Sequence, residues 1–230
     1  MKNTINKLHK SKFLGGIFPT LDRCLRKELE DCESVLDLGS GPSSPLQYCQ
    51  NIKYSVGVEA FRPYLEASMK KKTHNEYIEG KIEEAEFSEN SFDAVIMIEV
   101  LEHLPKETGL EMIKKAEKWA KKKIIITTPN GFVSQRQLDG NLLQKHLSGW
   151  EIEEMEKNGF GCRGLAGLKV LRQEVRDSSM GDDMTTTIKY RPRLFWFIVA
   201  TLSQVFTYHY PRYAFELFSV KKKAEKNYFA

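Results

Sequence analysis

Short apolar runs alternate with amphipathic stretches along most of this chain, and that alternation limits the possible folds more than any other feature. "SVLDLG" (34–39), "YSVGVE" (54–59), "FDAVIMI" (92–98) and "KKIIITT" (122–128) read as strands, with "NEYIEG" (75–80) a weaker one;. Between them, "RPYLEASMKKK" reads as a helix around Pro63, and over 108–121 Leu110, Ile113, Ala116 and Ala120 mark one face at helical spacing;. Strands separated by helices are βαβ units, so the spacing predicts an α/β protein with a parallel sheet. The pattern continues with "GWEIEEMEKNGF", a helix closed at Asn158-Gly159, followed by two more strands in "GCRGLAGLKVL" and "YAFELFSVKKK";.

At 230 residues the chain has room for one substantial domain;. Its 29% charged and 41% hydrophobic residues fit a packed globular core;. The net charge of +4 is spread over lysine clusters at 70–72, 121–123 and 221–223, with acidic runs such as "EGKIEEAEFSE" between them. Nucleic-acid binding needs basic residues gathered on one face, so no nucleic-acid partner is expected. Cys24, Cys32, Cys49 and Cys162 form no CxxC pair and no metal-finger spacing, which reads as free thiols in a reducing compartment;. The basic start, "MKNTINKLHKSKFLGGIFP", has its apolar run broken by Gly15 and Gly16 and is too short for a signal segment;. The expected location is cytoplasmic.

One apolar stretch stands apart. "RLFWFIVATLSQVF" (193–206) is shorter than the roughly 18 to 20 residues that cross a bilayer, and it carries Thr201, Ser203 and Gln204;. It predicts an amphipathic helix that packs on the domain, makes a dimer contact, or places the protein peripherally at a membrane.

The first strand runs into "GSGPSS" (39–44). In an open parallel sheet, ligands bind beyond the carboxyl ends of the strands, where this turn lies. Gly39 and Gly41 let the backbone turn sharply around Ser40 and approach a ligand closely. A dinucleotide site wants G-x-G-x-x-G, but Ser44 holds the third position and Pro42 has no N–H;. Asp37 adds a carboxylate beside the turn, which opposes a pyrophosphate and favours a cationic ligand. Glu59, 22 residues further on at the end of the second strand, is placed to accept ribose hydroxyls;.

With these residues and the stretch "EGKIEEAEFSENSFDAVIMIEVLEHL", the sequence resembles the class I S-adenosylmethionine-dependent methyltransferases over roughly residues 33–170. The resemblance implies a Rossmann-like three-layer α/β sandwich: a mostly parallel seven-stranded sheet, last strand antiparallel, with an apolar helix inserted before it. It implies a single domain over 1–230, made of a helical lead-in (1–32), a cofactor-binding core (33–170), an insertion with the apolar helix (171–212) and a final strand (213–220). It implies S-adenosylmethionine as cofactor, held by Asp37, Gly39, Ser40 and Gly41, by Glu59 and Ala60, by Ile82 and Glu83 near the adenine, and by Ile98 and Glu99 beneath the methionine. The family often has an aspartate where this chain has Lys81, which moves the adenine contact to Glu83 or to backbone near Ile82. Its third motif glycine is Ser43 here.

"IEVLEHLP" (98–105) carries Glu99, Glu102 and His103, and "QKHLSGW" (144–150) carries His146. A helix starting at 99 would put the first three on one face at i, i+3 and i+4. The set resembles the ubiquinone-biosynthesis O-methyltransferases and the small-RNA 2′-O-methyltransferases, which implies that Glu99, Glu102, His103 and His146 hold a divalent metal, Mg²⁺ or Mn²⁺, with Zn²⁺ also compatible. With a metal His146 and His103 are ligands and the bound hydroxyl becomes more acidic; without one the same two histidines are the candidate catalytic bases, His146 foremost. The expected reaction is methyl transfer to a hydroxyl of a small-molecule, lipid or sugar acceptor. The loop 131–149 has no period and is expected to help form the acceptor site. Two other readings are a non-catalytic S-adenosylmethionine-binding module and, disfavoured by Asp37 and Ser44, an NAD-dependent enzyme.

Overall fold

A computed structural model of the chain describes residues 18–135, 140–173 and 187–224. Seven strands form one sheet: β1 (Ser34–Leu38), β2 (Tyr54–Glu59), β3 (Glu76–Glu79), β4 (Phe92–Ile98), β5 (Ala120–Pro129), β6 (Gly161–Leu168) and β7 (Ala214–Lys222). Their spatial order is β3-β2-β1-β4-β5-β7-β6. β1 to β5 pair in parallel, while β7 runs antiparallel to both β5 and β6. The expected seven-stranded sheet with an antiparallel last strand is therefore present.

Among the described residues five helices cover the sheet: α1 (Leu21–Glu28), α2 (Arg62–Lys71), α3 (Lys106–Trp119), α4 (Ile152–Lys157) and α5 (Arg193–His209). Successive strand residues point to opposite faces, so each central strand feeds two cores. Leu36, Val95, Met97 and Ile124 pack with Met112, Ile113, Ala116 and Trp119 of α3. Val35, Ala94, Ile96 and Ile125 pack with Cys24, Leu25 and Leu29 of α1. This explains why the strands read as continuous apolar runs rather than alternating ones. All four cysteines are buried free thiols. The helical part of the expected lead-in is α1; residues 1–17 and 174–186 lie outside the described residues.

α5 lies on β6, and the strand is built to let it in. A Cβ on Gly164 would stand 2.2 Å from Thr207 O, and one on Gly167 2.0 Å from Ala200 O. Register slips between Leu165 and Leu168, where Ala166 and Gly167 both have positive φ. The glycines of "GCRGLAGL" thus allow a helix backbone to rest directly on the sheet.

The pairing of β5 with β7 brings two of the lysine clusters together. Lys123 lies opposite Lys222, and Ile124 opposite Lys221. Lys121, Lys122, Lys123, Lys222 and Lys223 border an open cleft of about 1110 Å³ with Lys114 and Lys118 of α3 and with Asp31, Glu89 and Glu117. Antiparallel pairing places the start of one strand beside the end of the other, so the lysines meet with acids interleaved among them.

Candidate active site

A cavity of about 570 Å³ opens at the carboxyl ends of β1, β4 and β5, where a parallel sheet offers its crevice;. Its first half is the glycine turn. Gly39 and Gly41 have φ of +71° and +60°, a region open to glycine at little cost;. The N–H groups of Gly39 and Ser40 donate to Val58 O at 2.8 and 3.1 Å, and Gly41 N–H donates to Glu59 Oε2 at 2.9 Å. Three donors are thereby committed to β2, and Pro42 has none. The turn then enters only a short 3-10 segment, Pro45–Tyr48, in place of a long helix. A pyrophosphate would find no row of available N–H groups, which removes the physical basis of a dinucleotide reading.

Asp37 closes this half from below. It is 1% exposed, and its Oδ2 accepts from Ser44 Oγ at 2.5 Å. His74 Nε2 lies 3.4 Å from the same oxygen, but burial pushes the imidazole down to about 4, so it brings no charge at neutral pH. Burial pushes the Asp37 carboxyl up to about 7, against the opposing pull of Ser44. A buried carboxylate bordering a cavity with no cation beside it favours a positively charged ligand. Ser40 Oγ is buried without a hydrogen-bond partner and borders the same cavity.

The second half comes from two loops locked to each other. Leu101–His103 form a single 3-10 turn after β4. The N–H groups of Leu147 and Ser148 both donate to Glu102 O, at 2.7 and 3.1 Å. Ser148 Oγ donates to Leu101 O at 3.1 Å and accepts from Trp150 Nε1 at 3.0 Å, and Trp150 is fully buried. "LEH" and "HLSGW" are thus one docked unit. Their histidines sit with ring centroids 4.8 Å apart. His146 Nδ1 lies 2.5 Å from Val133 O, and His103 Nδ1 lies 3.3 Å from Lys145 O. A carbonyl only accepts, so each Nδ1 is the donor. Burial, reinforced by His146, lowers the His103 pKa to about 4.

Ligand atoms of Glu102, His103 and His146 all lie within 4.8 Å of one another. The expected helical convergence is corrected: Glu99 precedes the turn, has φ +55°, and stands outside this trio while still bordering the cavity. Its N–H donates to Thr127 O and Oγ1, both at 3.1 Å, which holds a non-glycine residue in a sparsely populated conformation;. Glu102 is 2% exposed, and neither carboxylate oxygen has a hydrogen-bond partner among the described residues. Burial, then the neighbouring Glu99, pushes its pKa well up; burial also raises Glu99 to about 7.

Residues 36–126 match the family model described as a methyltransferase domain. No curated protein matches the chain in sequence. Among solved structures, a SAM-dependent methyltransferase from Archaeoglobus fulgidus is similar over 90% of this chain and 96% of its own, at 18% identity and a TM-score of 0.52. The fold is that of a class I S-adenosylmethionine-dependent methyltransferase. The YcgJ protein of Bacillus subtilis (13% identity, TM-score 0.52, 88% of this chain and 98% of its own) has the same architecture. So does the methyltransferase domain of bacterial CtHen1-C (17% identity, TM-score 0.51, 86% and 94%). The match and the residues of the glycine turn together support S-adenosylmethionine-dependent methyl transfer as the activity class.

Of the residues assigned to the cofactor from sequence, Asp37, Gly39, Ser40, Gly41, Ile98 and Glu99 border the cavity. Glu59 lies just behind it, with Oε1 accepting from Phe61 N–H at 2.8 Å and Oε2 from Gly41, so it braces the turn. Ala60 follows Glu59, Ile82 is part of the core beneath α3, and Glu83 lends its carbonyl to Lys115 Nζ at 2.9 Å. Sequence reasoning missed Gln135, Gln144, Gln173, Thr187 and Phe215, which also border the cavity. They come from aperiodic loops and from a strand start, where no residue pattern signals direction.

Proposed function

We propose that this methyltransferase transfers the S-adenosylmethionine methyl group to a hydroxyl oxygen of a small-molecule, lipid or sugar acceptor. The observation that carries the proposal is the buried Glu102 carboxyl, which has only Glu99 and Thr128 close by, makes no well-formed hydrogen bond among the described residues, and is flanked by two imidazoles whose Nδ1 atoms are already engaged. Leaving such a group buried and unsatisfied is costly, which marks it as a group meant for a ligand. Glu102, His103 and His146 fit a divalent cation, Mg²⁺ or Mn²⁺, with Glu99 beside them;. A cation there would supply Lewis acidity toward an acceptor hydroxyl.

The chain's own residues orient and deprotonate. Asp37, Ser40 and the glycine turn hold the donor, and S-adenosylmethionine brings the electrophilic methyl group. Glu102, His103 and His146 face the acceptor from the far side of the same cavity; His146 is a ligand where a cation is held and the base where none is. Orientation of the two reactants supplies most of the rate gain. The gathered lysines lie at the opposite end of β5, about 20 Å away along the strand, so they do not serve an acceptor in this cavity. The proposal therefore includes no nucleic-acid acceptor, and it places the protein in the cytoplasm, peripheral to a membrane.

The test is His146→Ala against a panel of catechols, polyprenyl phenols and sugars, with and without Mn²⁺. Turnover should fall by about 100- to 10,000-fold, while calorimetric binding of S-adenosylmethionine stays near that of the parent. Turnover retained on any acceptor that the parent methylates would overturn the role of His146.

A further inference from the structure

α5 is apolar on its outer face, which is unusual for a helix on a globular protein. Such helices bury their apolar stripe and show polar residues to water. Here Phe197 and Ala200 are buried, but polar residues turn inward with them. Gln204 and Thr207 are buried, Ser203 Oγ accepts from Leu168 N–H at 3.0 Å, and Gln204 reaches Pro19 O at 2.5 Å. Leu194, Phe195, Ile198, Leu202, Val205 and Phe206 face outward, each between 43 and 59% exposed. They continue into Tyr210 and Tyr213, which stack with Phe206. Scattered exposed apolar residues are ordinary, but a contiguous face along a whole helix marks a contact surface.

We propose that this face docks on an anionic lipid surface, with α5 lying in the plane of the headgroups. Charge selects this occupant. Residues 187–213 carry Lys189, Arg191, Arg193 and Arg212 and no aspartate or glutamate; Arg212 pairs with Glu153 at 3.2 Å, which leaves the first three ahead of and at the start of the helix. Lys189 and Arg191 are exposed, just ahead of the apolar face. Aromatic residues stand at both ends, with Tyr190 near Trp196 at one and Tyr210 with Tyr213 at the other, as in helices that sit at a membrane interface;. A second copy is the poorer fit. A two-fold pairing of α5 would set cationic ends against each other or against themselves, with no acid in the segment to match them. No described helix is long and apolar enough to cross a membrane, so α5 lies on the surface.

Docking also orients the cavity. Gln173 N–H donates to Thr187 O at 2.7 Å, and both residues border the cavity. Ile188, next to Thr187, packs with Leu171 against Phe197 and Ala200 of α5. The acceptor end of the site is therefore joined to the docking helix through a few residues. Resting on the function proposed above, the acceptor is a hydroxyl compound held in, or tethered to, that membrane.

The test is flotation of the full chain with vesicles of neutral phosphatidylcholine, or of phosphatidylcholine carrying anionic phosphatidylglycerol. The parent should float with the anionic vesicles and lose that binding as salt rises. Ile198→Glu with Leu202→Glu should weaken partition by 100-fold or more, since two exposed side chains lose their burial in lipid (roughly 25 cal/mol per Å²). Lys189→Gln with Arg191→Gln should weaken it by about 30-fold on anionic vesicles only. S-adenosylmethionine binding should be unchanged in both variants, which separates failure of docking from failure of the methyltransferase site. Equal or absent binding to the two vesicle types would overturn the proposal, as would a dimer in sedimentation equilibrium that Ile198→Glu with Leu202→Glu dissociates.

Discussion

The two ends of β5 each collect charged side chains, and they handle them in opposite ways. Beyond its carboxyl end, Glu99, Glu102 and Glu216 crowd out of water, and burial pushes all three carboxyls up. Arg172 is the cation that draws on Glu216, while Glu102 has no hydrogen-bond partner. At the amino end, seven lysines border an open cleft. Several of them cap backbone carbonyls: Lys123 reaches Glu28 O at 2.6 Å, and Lys223 reaches Glu117 O and Ala120 O at 2.8 and 2.7 Å. Like charges in water repel weakly and remain ionised, whereas carboxylates crowded in a dry pocket must take up protons or gain a counter-ion. A charged cluster therefore points to a ligand when it is buried and unsatisfied, and far less when it is merely dense.

The comparison breaks most sharply at Glu102. Glu102→Gln keeps the shape, removes the buried titrating carboxyl, and should reduce turnover by about 100-fold, while the thermal midpoint of the ligand-free protein at pH 8 does not fall. A fall in that midpoint would mean that the carboxylate is a structural partner and not a group awaiting a ligand.

The pH dependence sharpens it next. Asp37 and Glu99 rise from 3.8 and 4.5 in the unfolded chain to about 7 in the folded one. Between about pH 4 and 7 the folded state then binds more protons, so their contribution is fully present at low pH and is lost as pH rises through 7. Buried His74 and His103, lowered to about 4, give the opposite slope below about pH 6.5, so the decisive window lies above it;. The ligand-free protein should show a higher thermal midpoint at pH 6.5 than at pH 8. Mn²⁺ and S-adenosylmethionine should raise it more at pH 8, because each favours the ionised carboxylates. A flat profile from about pH 6.5 to 8 would remove the case for buried acids.

The lysine end should respond least. Lys123→Met removes a 5% exposed residue that pairs with Asp31 at 2.5 Å, and should cost about 1–2 kcal/mol in denaturant unfolding;. Lys118→Gln with Lys121→Gln should stay within about 0.5 kcal/mol and leave turnover unchanged. A large loss of activity from these exposed lysines would show that the cleft takes part in the reaction.

Much of this was legible in the residues. The strands and helices announced themselves because each periodicity is local: β-branched runs, a helical stripe in 108–121, Asn158-Gly159 as a stop;. The glycine turn was legible because Asp37, Pro42 and Ser44 sit within a few residues of the glycines whose chemistry they alter. His103 and His146 were named from sequence, but their meeting was not derivable. It depends on Leu147 and Ser148 donating to Glu102 O and on Trp150 anchoring the loop. Glu99 was assigned to a helix face, yet a strand-end hydrogen bond to Thr127 holds it at φ +55°. Composition could not show that α5 turns its polar side inward, because that depends on the glycines of β6 and the carbonyl of Pro19.

By itself the sequence determined the order of strands and helices, the turn that prefers a cationic donor to a pyrophosphate, and the residue types available for hydroxyl chemistry. These follow from short-range sterics, hydrogen bonding and hydrophobic period. Only the tertiary structure decided which carboxylates lost their water, where the lysine triplets met, and which side of α5 was left uncovered. Each of those depends on desolvation and pairing between segments far apart in the chain, and chain folding alone brings such segments together.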